Sequence, residues 1–116
     1  METKRIVLYL NQFFGQIGGE DKAHIAPQSF DKPIGPGLGL KGLLPKNCTI
    51  VGTIVCGDSY FNENLEEASI TVGKMISDFN PDVVIAGPAF NAGRYGMACG
   101  TVGKIAYEMG IPAVSG

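Results

Sequence analysis

The sequence predicts an α/β fold: a doubly wound, mostly parallel sheet of about four strands with helices on both faces, Rossmann-like or flavodoxin-like. Short, near-continuous apolar runs recur along the chain, as strands buried on both faces of a parallel sheet require. Two amphipathic, helix-length segments alternate with the later runs. The runs lead into loops rich in Gly, Asn and aromatic residues, which an open parallel sheet places at its carboxyl edge, where ligands bind.

The first strand is expected at Arg5–Leu10, followed by a loop from Asn11 to Gly19. Between Glu20 and Pro45 the periodicity breaks down under repeated prolines, and only Gly37–Leu44 has the makings of a short helix. Thr49–Val55 is the second strand. The clearest helix spans Leu65–Phe79, with Leu65, Ala68, Val72, Met75, Ile76 and Phe79 spaced as one buried stripe. Asn64 is placed to cap it, Glu66 and Glu67 suit its positive first turn, and Asn80-Pro81 ends it. Asp82–Ala86 is the third strand. A second helix follows from about Arg94 to Met109, its buried face formed by Ala98, Val102, Ile105, Ala106 and Met109, with Gly110 as its left-handed stop. A fourth strand begins at Ile111, and the pattern reads as one α/β domain over residues 1–116, the front of a longer protein.

Composition narrows the function. The 116 residues carry 45% hydrophobic and 17% charged side chains, an ordinary globular balance. A net charge of −2 and the absence of a basic cluster argue against nucleic acid as partner. No apolar run approaches the roughly 20 residues of a membrane span. Three cysteines without a C-x-x-C pair suggest neither a disulfide scaffold nor a zinc site, so a cytoplasmic location and no bound metal are expected.

Two motifs lose their functional reading to context. Gly37-Leu38-Gly39-Leu40-Lys41-Gly42 spells G-x-G-x-x-G, but Pro33 and Pro36 stand where a strand should precede it, and Pro45 cuts short the helix that should follow. Gly15 to Gly19 does follow a strand, yet Glu20-Asp21 would repel a phosphate there. A tight turn that brings Asn11 and Gln12 to the sheet edge accounts for it. His24, the only histidine, is expected at the surface or in packing, since no nucleophile signature accompanies it.

The candidate site residues are Asn11, Gln12, Asp58, Asn91, Arg94 and Tyr95, all in the carboxyl-edge loops. Arg94, at a helix start, can grip a carboxylate bidentately; the alternative is a surface salt bridge. Cys56 and Cys99 are redox or nucleophile candidates, a thiolate being activated near a helix start or beside Arg94. Buried free cysteines are more often small hydrophobes. Phe13, Phe14, Tyr60, Phe61, Phe90 and Tyr95 gather in the same loops, more than core packing alone suggests, and could face a quaternary or protonated amine.

Three stretches carry a resemblance that covers essentially the whole chain: Tyr9-Leu10-Asn11-Gln12-Phe13-Phe14 through Gly18-Gly19-Glu20-Asp21-Lys22-Ala23; Cys56-Gly57-Asp58; and Ala86 to Gly96 with Ala98-Cys99-Gly100. Together they resemble the selenoprotein B subunit of the glycine, sarcosine and betaine reductases. The resemblance implies reductive cleavage of an amino-acid-derived substrate in anaerobic bacteria, with a selenocysteine attacking the α-carbon and releasing the amine. It further implies transfer of the carboxymethyl group to selenoprotein A, release of acetyl phosphate by component C, electrons from a thioredoxin system, and a partner subunit of component B carrying a pyruvoyl group. The family subunit is several times longer, and no residue here matches its selenocysteine. The expectation is therefore an amino-terminal part that contributes to substrate binding and is inactive alone. The alternative is a non-catalytic small-molecule-binding or assembly module.

Overall fold

In chain order the elements are β1 (Lys4–Leu10), β2 (Gln28–Phe30), α1 (Pro36–Leu43), β3 (Cys48–Val55), α2 (Asp58–Glu63), α3 (Leu65–Phe79), β4 (Val83–Ala86), α4 (Gly93–Glu108) and β5 (Ala113–Ser115), with a 3-10 turn at Glu20–Lys22. The computed structural model describes residues 4–12, 14–18, 20–87 and 93–115, the side chains of Glu20, Arg94, Tyr95 and Ser115 excepted.

The sheet runs β2-β3-β1-β4-β5, and all its pairs are parallel except β2 with β3. Among the parallel strands, the second in sequence (β3) and the third (β4) flank the first. That arrangement is the flavodoxin-like order, and it puts the switch of direction between the carboxyl ends of β1 and β4. Right-handed crossovers then place α1 on one face and the later helices on the other. Tyr9, Val7, Ile54 and Val84 pack under α2, α3 and α4, while Ile6, Leu8 and Ile50 pack under Leu40 and Leu44 of the α1 segment. Helices thus cover both faces, as expected.

Beyond the four expected strands there is a fifth. β2 pairs Gln28, Ser29 and Phe30 with Val55, Ile54 and Thr53. Three residues hold too little pattern to read as a strand; the open edge of β3 recruits them. Thr53 fixes the next turn, its hydroxyl donating to the Lys32 carbonyl at 2.7 Å.

Helix α3 has the expected bounds, but its buried stripe starts one turn late. Ala68, Val72 and Ile76 are buried, whereas Leu65 is 51% exposed. Asn64 stands at the boundary without capping α3 through its side chain. The amide donates instead to the Tyr60 carbonyl at 3.2 Å, because another helix immediately precedes it. At the far end Asn80 takes φ 49°, a conformation asparagine tolerates, and its N–H donates to the Ile76 and Ser77 carbonyls before Pro81.

Helix α4 starts one residue before the expected position and buries Ala98, Cys99, Val102 and Ala106. Met109 lies just past its end and is 40% exposed, which removes it from the expected buried face. The stop is a Schellman turn: Gly110 at φ 78° donates to Tyr107, and the Ile111 N–H returns to the Ala106 carbonyl at 2.9 Å. That use of Ile111 delays β5 to Ala113.

Candidate functional site at the carboxyl edge

Because β1 and β3 are adjacent and parallel, with Leu10 paired to Val55, the loops that leave them emerge side by side. The ladder continues one step further through the Cys56 N–H, which donates to the Leu10 carbonyl at 3.1 Å. Asn11 and Gln12 are thereby set against Gly57 and Asp58. The turn after Gln12 closes tightly: Gly15 and Ile17 donate to the Asn11 and Gln12 carbonyls at 2.8 and 3.0 Å. A Cβ at Gly15 would come within 2.6 Å of the Val55 side chain, so the approach requires glycine.

Asn11, Gln12 and Asp58 form one buried polar cluster. The Asn11 amide donates to an Asp58 carboxylate oxygen at 3.0 Å, and its own oxygen accepts the Phe14 N–H at 2.9 Å. Gln12 Oε1 accepts the Asp58 N–H at 3.1 Å. The Asn11 amide therefore holds the Asp58 carboxylate, and the Gln12 amide oxygen its backbone, below the surface, where an uncompensated charge would be costly. Asp58 also lies in the first turn of α2, where the aligned peptide dipoles favour a negative charge.

Gly57 admits a second backbone into this corner. The chain at Ala23–Ile25 crosses it, accepting from Gly57 N–H through Ile25 and from Tyr60 N–H through Ala23 at 3.0 and 2.9 Å. A Cβ on Gly57 would lie 2.3 Å from the Ala23 oxygen. The excursion that looked structureless in sequence thus clamps the loop that carries Asp58.

Cys56 is fully buried beneath the cluster. Burial pushes its thiol up to about 12; a side-chain hydrogen bond with Tyr9 opposes that rise, and the negative charge of Asp58 adds to it. At neutral pH it is a packed, protonated thiol. Cys99 is buried in the same apolar cluster, and neither residue is part of a disulfide. His24 is exposed and pairs with Glu63 at 3.5 Å, in keeping with a surface role.

Several expected site residues are brought together and others are not described. Asn11, Gln12 and Asp58 meet directly. Asn91 lies outside the described residues, as do Phe13, Phe90 and the side chains of Arg94 and Tyr95. The backbone at Arg94 does open α4, as the anion-binding expectation needs. The aromatic gathering is in part a core feature. Phe61 is fully buried and meets the Tyr9 ring edge-on with centroids 5.9 Å apart, and Phe14 and Tyr60 pack against the same core. The core share follows from α2, a helix where the residue pattern suggests a loop. Its signal was present as Gly57-Asp58-Ser59, a run of good helix-starting residues before two aromatics. Among the described residues no group of three or more His, Cys, Asp or Glu side chains could hold a metal, and no helix is long and apolar enough to cross a membrane.

Fold and site define a flavodoxin-like α/β unit with a buried amide–carboxylate cluster beside its switch point. A family model described as "Glycine/sarcosine/betaine reductase selenoprotein B (GRDB)" matches residues 3–116, and the chain belongs to that family. It is 58% identical over its whole length to the glycine reductase complex component B subunit gamma of Carboxydothermus hydrogenoformans, of which it covers 27%. It is 46% identical, again over its whole length, to the sarcosine reductase complex component B subunit beta of Peptoclostridium acidaminophilum, covering 27%. To the betaine reductase complex component B subunit beta of the same organism it is 42% identical over 97% of its length, covering 26%. The chain thus spans about a quarter of the length of these relatives. No solved structure is similar to it at a significant level.

Proposed function

We propose that this chain is the amino-terminal α/β portion of a component B subunit of a glycine, sarcosine or betaine reductase, and that its carboxyl-edge loops form part of the pocket for the amino-acid-derived substrate. The observation that carries the reading is the buried Asn11–Asp58–Gln12 cluster beside the switch point of a chain from this family. Held amide and carboxylate groups at that edge suit a small zwitterion better than an apolar ligand does. In this reading Arg94, at the start of α4, grips the substrate carboxylate, and Asn91 and Tyr95 complete that wall. Asn11, Gln12 and Asp58 position the opposite wall.

The reductive step belongs to the rest of the complex. A selenocysteine outside these 116 residues takes the carboxymethyl group as the amine leaves, selenoprotein A receives it, and a pyruvoyl-bearing subunit completes component B. This chain's share is binding, not electron transfer, and a cytoplasmic location fits its unbridged thiols. The test is Arg94→Ala in the assembled reductase. Loss of a charge-assisted carboxylate contact should raise KM by at least about tenfold, from roughly 1.5–3 kcal/mol. Unchanged kinetics would remove Arg94 from the site.

A further inference from the structure

The two faces of the sheet are unequally covered, and the open part has a definite shape. On the α1 face, Leu8, Ile85 and Val114 stand in one row across β1, β4 and β5, each paired with the next in register. With Leu10 and, from the α1 side, Pro36 and Leu40, they line an apolar cavity of about 290 Å³. Among the described residues none that lines it is charged. Val114 is 58% exposed, although a strand in a parallel sheet is ordinarily buried on both faces. The cavity lies between α1 and the outer edge of β5, over two strands that together span about 10 Å, the width of one α-helix.

From this we infer that the groove is the seat of an amphipathic helix supplied by the longer polypeptide of the family subunit. The inference rests on reading the chain as a portion of component B. The occupant is chosen by three facts. Relatives matched along this whole chain are nearly four times its length, so the same polypeptide has residues to spare. The described walls carry no charge that would attract an acidic, basic or nucleic-acid partner. A helix with apolar residues at i, i+3, i+4 and i+7 presents a stripe that fits beside Leu40 and over Ile85 and Val114.

The test uses a full-length subunit in which residues 1–116 replace the matching part of the Carboxydothermus hydrogenoformans relative. Within residues 1–116 Cys48→Ser removes the one partly exposed thiol, and Val114→Cys adds a reporter whose labelling is read on its own peptide by mass spectrometry, apart from the selenocysteine and other thiols of the subunit; Leu40→Cys is a second reporter on the opposite wall should the first disturb folding. Reaction with a disulfide reagent is compared with the same variant denatured in guanidinium. A docked helix slows the V114C thiol by at least about a hundredfold, against a few-fold for the partly exposed site alone. Reaction near the denatured rate overturns the inference. So does protection lost on dilution, which would identify a second copy, or protection gained only when the pyruvoyl subunit is added. Turnover of glycine, sarcosine or betaine by the same variant, assembled with the remaining subunits of the complex, separates the two readings. Lost turnover with the thiol protected strikes the functional proposal alone, and an open thiol with turnover kept strikes this inference alone.

Discussion

The face of the sheet under α2, α3 and α4 and the face under α1 obey different rules. The first is closed: Tyr9, Phe61, Val72, Ile76 and Val102 are fully buried in one continuous cluster. On the second, Ile6, Leu8 and Ile50 form a smaller buried cluster, with half-buried neighbours around them. Both faces come from the same strands, whose alternate residues are equally apolar. The difference lies in how many helices each crossover direction delivers, so it is topological rather than compositional. The polar cluster of Asn11, Gln12 and Asp58 sits at the carboxyl edge and draws its rigidity from the closed side, through Cys56, Phe61 and the start of α2.

The closed face is most sensitive at Phe61. Phe61→Ala should cost about 3–5 kcal/mol by urea denaturation, because it empties a fully packed site and removes the contact with Tyr9. A cost near that of a half-buried residue would mean the closed face is not the main core. Asn11→Ala should cost about 1–3 kcal/mol, since it takes a donor from the buried Asp58 carboxylate. Asn11→Asp should do no better, placing two acids together.

The Cys56 thiol sharpens the contrast by pH. Its ordinary value of 9.0 applies to the unfolded chain, and burial raises the folded value to about 12. A raised value means the folded state holds the proton longer, so this contribution is complete below pH 9 and lost as the pH rises toward 12. Stability should therefore fall by up to about 1.4 kcal/mol per pH unit within that window. Cys56→Ala should flatten that part of the profile, and an unchanged slope would reject the assignment.

On the half-open face Leu40→Ala should cost only about 1–2 kcal/mol in this chain, less than a full core truncation. Leu43→Ser, at a side chain 83% exposed, should shift stability by less than roughly 0.5 kcal/mol in the same denaturation assay. A larger loss at Leu43 would show that α1 is covered on its outer side as well.

Much of this was legible in the residues. The apolar runs and the stripe of Ala68, Val72 and Ile76 carry their own period, and Asn80-Pro81 and Gly110 mark stops with local causes. The meeting of Asn11, Gln12 and Asp58 was legible by position, because residues directly after adjacent parallel strands emerge at one edge. What escaped had no local signature. β2 exists because β3 has an edge to offer, α2 because Gly57 yields room to the backbone at Ala23, and Phe61 is core because α2 turns it inward.

By itself, then, the sequence determined the strand and helix periods, the helix ends and the family, because each rests on neighbours within a few residues or on long matching motifs. Only the tertiary structure decided the flavodoxin-like order, the burial of Cys56, the partners of Asp58 and the open groove beside α1. Those depend on which segments distant in sequence come to share a face, and no local spacing encodes that.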